Sequence, residues 1–504
     1  MTISRRQILN TGALGGAVAA SAALGLAGPA RALGSPAMGS PAAGRRPRDL
    51  FGPLSAADGD LLALPAGFSY QLVAVSGETE LEDGRGAVIG TTPCRPDGTL
   101  AVAARRGYRL VQNHEAGPGG GDVPPVPIVA GTAYDVGAGA GGGCTVLEVD
   151  RSGRRLSEWV GLSGTVSNCA GGPTPWGSWL TCEETEAKAG TVVGSATLEK
   201  DHGYVFEVFT GGPDSQIPLP IKAWGRAPHE AVVVEPSRRR VYLTEDASKP
   251  TGLLYRWSGP KVMPGIAHHL GDDDGVVAAL AVLTDDGSVL PDLAYVTAAQ
   301  IGRPFRTSWV TVPDRHATTT SLRKQFTDGT VTRSKKLEGA WGDATGMYFV
   351  ASFAFAAGDL PVDATPHDGQ LWFYDYRAET LTLMAYFPYN ALLHSETPGW
   401  EAGLGRSLDL AYDGPDGCHV SPYGSLVLTE DGNTANHLLS WSRDLGAQPI
   451  ARNAIVQEVN AAGGNVYSEM TGPCFSPDGR ILFANVQEPG HVFAITGPWK
   501  RLLG

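Results

Sequence analysis

The sequence predicts an all-β fold, a six-bladed β-propeller with insertions over one face, on three observations. Glycine (67 residues) and proline (36 residues) punctuate short apolar runs along the whole chain, the composition of many strands joined by tight turns. An apolar strand recurs with a common ending: Trp179-Leu180-Thr181-Cys182-Glu183-Glu184, Tyr242-Leu243-Thr244-Glu245-Asp246 and Val427-Leu428-Thr429-Glu430-Asp431. Turn chemistry precedes several of these strands, as in Glu235-Pro236-Ser237-Arg238, Ser421-Pro422-Tyr423-Gly424 and Ser476-Pro477-Asp478-Gly479.

Three looser copies complete a set of six. Arg109-Leu110-Val111-Gln112-Asn113-His114-Glu115 keeps an acidic end, whereas Met347-Tyr348-Phe349-Val350-Ala351-Ser352 and Ile481-Leu482-Phe483-Ala484-Asn485-Val486-Gln487 keep only the strand. One such hairpin cannot bury both its faces. Radial repetition around an axis solves that problem without leaving long exposed edges, and it brings equivalent polar residues to one central funnel.

The elements follow in chain order. Residues 1–32 read as a twin-arginine signal peptide: Ser4-Arg5-Arg6-Gln7-Ile8-Leu9 precedes an Ala/Gly-rich apolar stretch, and Ala30-Arg31-Ala32 offers a small-x-small cleavage site. The stretch is too short and too weakly hydrophobic for a membrane anchor. Export through the twin-arginine machinery is therefore expected, to a periplasmic, secreted or extracellular location; that route carries folded proteins, which suits a cofactor acquired beforehand. Residues 33–49 read as a flexible lead-in, and 50–504 as a single β-propeller domain. The longest gap between repeats, from about residue 260 to 333, is expected to be an insertion over one face, with a helical piece at Ala298-Ala299-Gln300-Ile301.

Charge excludes some functions. Loss of Arg5, Arg6 and Arg31 with the signal moves the formal charge from -13 to -16, so the mature protein lacks the basic footprint of a nucleic-acid binder. The six cysteines are too sparse for a disulfide scaffold of this size. Cys182 and Cys474 sit in apolar strand patterns and read as buried thiols, and Trp176, Trp179, Trp341 and Trp372 as core.

Two sets of residues are candidates for cations. The acid-tipped strand ends supply Glu115, Glu183, Glu184, Asp246 and Asp431, all-oxygen groups suited to Ca2+. A second set lies on the partner strand of each hairpin: Asn168-Cys169-Ala170-Gly171-Gly172, Pro228-His229-Glu230, Leu337-Glu338-Gly339 and Gly417-Cys418-His419, with Ser468-Glu469 in the last unit. Thiolate and carboxylate together suit a transition metal. His114, His229 and His419 read as hydrogen-bonded framework rather than ligands.

Asn113-His114-Glu115, Asn168-Cys169-Ala170-Gly171-Gly172 with Thr174-Pro175-Trp176-Gly177, Thr181-Cys182-Glu183-Glu184, and Thr471-Gly472-Pro473-Cys474-Phe475-Ser476-Pro477-Asp478-Gly479 resemble the PhoX alkaline phosphatase family, from about residue 60 to the C-terminus. The resemblance implies a six-bladed propeller that holds a pair of Fe3+ ions with Ca2+ and hydrolyses phosphomonoesters outside the cytoplasm. It implies Cys169 as an iron ligand, Glu230 as an iron-ligating glutamate and Glu338 as another metal ligand. Where the family's phosphatases carry an arginine two residues ahead of the latter glutamate, this chain has Lys336, which keeps the charge but loses the planar fork that matches phosphate. A shifted substrate preference is expected, with Lys336 meeting the substrate and Arg226 as a second cation. The expected partner is a small-molecule phosphate ester, and the expected state a monomer. Two readings of other kinds stand beside this one: a calcium-dependent propeller lactonase or esterase, and a non-catalytic binding propeller stabilised by calcium.

Overall fold

The computed structural model describes residues 50–118, 121–193, 196–263, 265, 267–355, 367–388, 412, 414–432, 435–459 and 465–504. The expected export segment (1–32) and lead-in (33–49) lie outside the described residues. Among the described residues, strand accounts for 50% and helix for 6%.

Six antiparallel hairpins recur: Pro96–Ala103 with Gly107–His114, Asn168–Pro173 with Trp179–Glu183, His229–Val234 with Arg240–Glu245, Leu337–Gly342 with Gly346–Phe355, Pro415–Val420 with Leu426–Glu430, and Met470–Phe475 with Ile481–Val486. The first strand of each packs on the first strand of the next, and that of the last hairpin packs on that of the first. The arrangement is propeller-like, with these first strands innermost.

The sheets do not separate as cleanly as six independent units. Pro304–Thr311 pairs with Thr380–Phe387, which fuses the third and fourth hairpins and their outer strands into one ten-stranded sheet. The second hairpin gains only Val205–Val208 and stays three-stranded. The fusion has a clear cause in the segment expected to cross one face. Its run Val276–Leu283 is apolar nearly throughout and mostly buried, so it needs a paired strand on each edge, and it finds Gly252–Ser258 on one side and Pro304–Thr311 on the other. The piece at Ala298–Gln300 is a single 3-10 turn.

The core lies between neighbouring sheets. Leu180, Cys182 and Val205 of the second sheet meet Val232, Leu243 and Tyr255 of the third, and Leu110 and Leu147 of the first meet Phe483 and Ala494 of the last. Each of the fully buried Leu, Val and Phe side chains among these contributes about 1.5–3 kcal/mol. The ring closes on itself, since Ser69–Val75 pairs with His491–Thr496 and supplies the outer strand of the last sheet. All six cysteines are buried free thiols, and Trp179 and Trp372 are core residues.

Candidate metal centre

Each inner strand carries a bulge at the same place. The register slips between Pro96 and Thr99, Asn168 and Gly171, His229 and Val232, Leu337 and Ala340, Pro415 and Cys418, and Thr471 and Cys474. A bulge turns the unpaired residues out of the ladder and re-aims their side chains. The first residue inside each bulge is, in order, Asp97, Cys169, Glu230, Glu338, Asp416 and Gly472; the second is small or is Pro473. Packing explains the small residue. A Cβ on Gly98 would stand 2.8 Å from the Ala170 carbonyl oxygen, and one on Gly339 2.8 Å from that of Asp416, so glycine lets each inner strand approach its neighbour.

Polar residues of the recurring strand hold these bulges in place. Asn113 Nδ2 donates to the Cys169 carbonyl at 2.6 Å, Thr244 Oγ1 to that of Glu338 at 2.9 Å, and Asn485 Nδ2 to that of Asp97 at 2.8 Å, each one hairpin further round. Thr429 instead accepts from Gly417 N–H of its own bulge at 2.7 Å. Asn113 is itself oriented, because its Oδ1 accepts from Trp179 Nε1 at 2.9 Å and from Cys144 Sγ at 3.0 Å. The repeat read in the sequence thus includes the clamps of the site.

The result is three groups of ligand atoms, each within 4.8 Å of one another: Asp97, Glu115 and Cys169; Cys169, Glu184 and Glu230; and Glu230, Glu338 and Asp416. Cys169 belongs to both sulfur-containing groups, and Glu230 links the second group to the third. Cys169 Sγ is 3.8 Å from Asp97 Oδ2. All but Glu184 are buried. So many carboxylates out of water repel one another unless cations lie among them, and a shared thiolate with carboxylates suits a trivalent or divalent transition metal, whereas the all-oxygen group suits calcium. The donor set therefore fits the metals that the sequence implied. A cavity bordered by all six inner strands adjoins it, with Asp97, Glu230, Gly339, Asp416 and Gly472 in its wall.

Of the sequence candidates, Cys169, Glu230, Glu338, Glu115 and Glu184 come together here, and four others belong to none of the three groups. Glu183 is consumed by protein donors: Val166 N–H and His202 Nδ1 reach Oε1 at 2.9 and 2.6 Å, and Gly203 and Tyr204 N–H reach Oε2 at 2.8 and 3.1 Å. Burial would lower the His202 pKa, but the Glu183 charge and the hydrogen bonds that His202 donates to Glu183 and Asp135 outweigh it and hold it above its ordinary value. The equivalent Glu245, bonded to Leu253 N–H, Tyr255 and Arg323, is pushed up to about 7 by burial. Asp246 binds Lys336 Nζ at 3.1 Å. Asp431 and Glu469 belong to none of the three groups.

The cations sort differently from expectation. Lys336 Nζ lies 2.6 Å from Glu338 Oε1, so this lysine is at the site. Arg226 is not available to a substrate, because its guanidinium donates to the carbonyls of Glu186 and His202 at 3.0 Å each, Ala317 at 3.3 Å and His316 at 3.4 Å. It staples loops together. Burial pushes the pKa of His114 and His229 down to about 4 and that of His419 to about 3, leaving neutral rings with framework partners such as Cys94 O and Thr145 Oγ1 for His114.

Asp97 and Asp416 escaped the sequence reading. Pro96-Asp97-Gly98 and Pro415-Asp416-Gly417 have the composition of turns, as Pro477-Asp478-Gly479 is indeed a turn. Their signal was spacing: each stands as far before its acid-tipped strand as Glu230 stands before its own. In the fifth hairpin Cys418 was the residue noticed, and it points into a core with Leu428 and Trp441 instead.

The alkaline phosphatase PhoX family model matches residues 49–490. PhoX from Pseudomonas fluorescens, solved in complex with vanadate, a transition state analogue, is 17% identical with a TM-score of 0.59, over 89% of this chain and 98% of that one. Virginiamycin B lyase from Staphylococcus aureus is 10% identical with a TM-score of 0.31, over 85% of this chain and 99% of that one. No curated protein sequence matches. With nearly the whole described region matched by one family model and the bulge residues gathered around Cys169, the chain belongs to the alkaline phosphatase PhoX family.

Proposed function

We infer that this protein is a metal-dependent phosphomonoesterase. One observation carries the reading beyond family membership: Cys169 converges with Asp97, Glu115, Glu184, Glu230, Glu338 and Asp416, from five separate hairpins, on one place. We read the six hairpins as six blades, which the closed order of inner-strand contacts and the common bulge support. The metals are read as an Fe3+ pair near Cys169 with Ca2+ at oxygen ligands, supported by donor chemistry.

Cations held there would polarise phosphoryl oxygens and activate an oxygen nucleophile. The chain's own contribution is placement. The bulges, clamped by Asn113, Thr244 and Asn485, fix the ligands before substrate arrives, so little reorganisation accompanies reaction. Lys336, tied to Asp246 and Glu338, sets a positive charge at the edge of the site for the anionic ester. As a point charge it recognises phosphate less directionally than an arginine fork would.

Export by the twin-arginine route, action outside the cytoplasm and a monomeric state belong to the same reading, resting on the Arg5-Arg6 segment and the acidic charge. No helix among the described residues is long and apolar enough to cross a membrane. The vanadate complex of the Pseudomonas fluorescens protein extends to this chain as the expectation that vanadate binds here and inhibits. The decisive experiment pairs elemental analysis of purified protein with hydrolysis of a chromogenic phosphomonoester: iron and calcium with turnover abolished by Cys169→Ala support the reading. Calcium without iron, and ester hydrolysis that survives Cys169→Ala, would favour a lactonase or esterase instead.

A further inference from the structure

Arg95 occupies the place in the first hairpin that Lys336 occupies in the fourth. Each stands two residues before its bulge acid, Asp97 and Glu338, and each is left-handed, with φ of 51° and 53°. Ser167, two residues before Cys169, shares this conformation at φ 50°, so the left-handed residue is part of the bulge geometry, and the first and fourth hairpins are the ones that place a cation on it. The two inner strands, Pro96–Ala103 and Leu337–Gly342, are three steps apart in either direction round the closed order of six. Arg95 and Lys336 therefore stand on opposite sides of the acid cluster.

Arg95 also reaches that cluster. Its Nη2 lies 3.3 Å from Oε2 of Glu115, a member of the group with Asp97 and Cys169, and its Nη1 lies 2.8 Å from Glu488 Oε1. The side chain is only 9% exposed, and its Nε–H is buried without a hydrogen-bond partner among the described residues. A desolvated guanidinium with an unmatched donor is unfavourable by itself, and an anion with several acceptor oxygens would complete it. Arg226 cannot serve in this way, since four carbonyls claim its donors.

We propose that Arg95 is a second anion-binding residue of this site, facing Lys336 across the ligand groups, so that the two cations hold opposite sides of a phosphoryl group. The proposal rests on the phosphatase reading for its ligand class. It places the planar donor fork that the fourth hairpin lacks on the first hairpin. Recognition of phosphate is then divided between a directional group and a point charge.

The test uses the metal-loaded full-length protein and inorganic phosphate as probe. Binding is measured by calorimetry and by competition against a chromogenic phosphomonoester, with metal content determined for every preparation. Arg95→Gln is expected to weaken phosphate binding roughly tenfold or more at unchanged metal content, and Arg95→Lys to weaken it less and keep the parental melting temperature. Arg85→Gln, at an exposed ion pair with Asp214, is the control and should bind like the parent. The proposal is overturned if both Arg95 variants bind phosphate within about twofold of the parent, or if affinity falls only together with metal content, which would make Arg95 a support for Glu115. Hydrolysis by the parent with no effect of either Arg95 variant sinks the proposal and spares the phosphatase reading. Phosphate binding that depends on Arg95 in a parent without turnover does the reverse, and a parent that binds no phosphate sinks both.

Discussion

Glu183 and Glu184 are neighbours in the chain with separate tasks: the first accepts from His202 and three backbone N–H groups, and the second lies with Cys169 and Glu230. Side chains alternate between faces along an extended strand, so an acid pair at its end divides between interior and funnel. Glu183→Gln, which leaves His202 with Asp135 alone of its two buried carboxylate partners, is expected to lower stability by about 3 kcal/mol. Glu184→Gln should keep the fold and lose metal. Chemical denaturation together with elemental analysis separates the two, and the opposite pattern would show that the residues had been assigned the wrong way round.

Metal removal should destabilise the protein. Without cations, buried carboxylates on four hairpins repel across distances of a few ångströms, and that repulsion acts on the inner strands that join the sheets. Scanning calorimetry before and after chelation should show a fall in melting temperature that calcium and iron together restore. An unchanged transition would argue that these acids hold no ion.

In the fifth hairpin, Asp416 and Cys418 make a paired comparison. Asp416→Asn removes a donor from the group with Glu230 and Glu338 and should reduce both bound metal and turnover at least tenfold. Cys418→Ser puts a hydroxyl into an apolar cluster and should cost about 1–3 kcal/mol while sparing activity. Activity lost in the serine variant alone would contradict the placement.

Arg226→Gln tests a structural role. Four carbonyls lose their donor, so stability should fall by about 2–4 kcal/mol while phosphate affinity of the folded protein is unchanged. A weakened affinity with normal stability would return Arg226 to the substrate.

Asp292 supplies a pH test away from the metals. Burial raises its carboxyl to about 6, with bonds from Ala294 N–H and Thr251 and the nearby Arg333 opposing. The native state holds this proton more tightly than the unfolded chain, whose carboxyl titrates near 3.9, so stability from this group is full below about pH 4 and declines as pH rises through 6. Asp292→Asn keeps an acceptor for Ala294 and removes the charge. It should gain on the order of 2–3 kcal/mol over the parent at pH 8 and nothing at pH 4; a gain independent of pH would rule out this origin.

The strands and turns were legible because apolar runs and Pro/Gly punctuation are local. So was Cys169, through the residues around it. Asp97 and Asp416 were hidden because an aspartate in Pro-Asp-Gly looks the same in a turn and in a bulge, and only the hairpin packed beside it tells them apart. Glu183 looked like a ligand because its partner His202 lies in a connecting segment 19 residues further on, and Arg226 looked like a substrate cation because its four carbonyls come from loops remote in sequence. Arg95 carried no signal of its own until its backbone conformation could be set beside that of Lys336.

The pairing of Ser69–Val75 with His491–Thr496 has a consequence for the order of events in synthesis. A nascent polypeptide cannot complete the circle until His491–Thr496 has emerged, and its early sheets meanwhile show open edges that invite association. Pro96–Ala103, Asn168–Pro173 and His229–Val234, which carry Cys169 and several of its acidic companions, neighbour one another both along the chain and around the circle, so the two sulfur-bearing groups can assemble before the circle is complete.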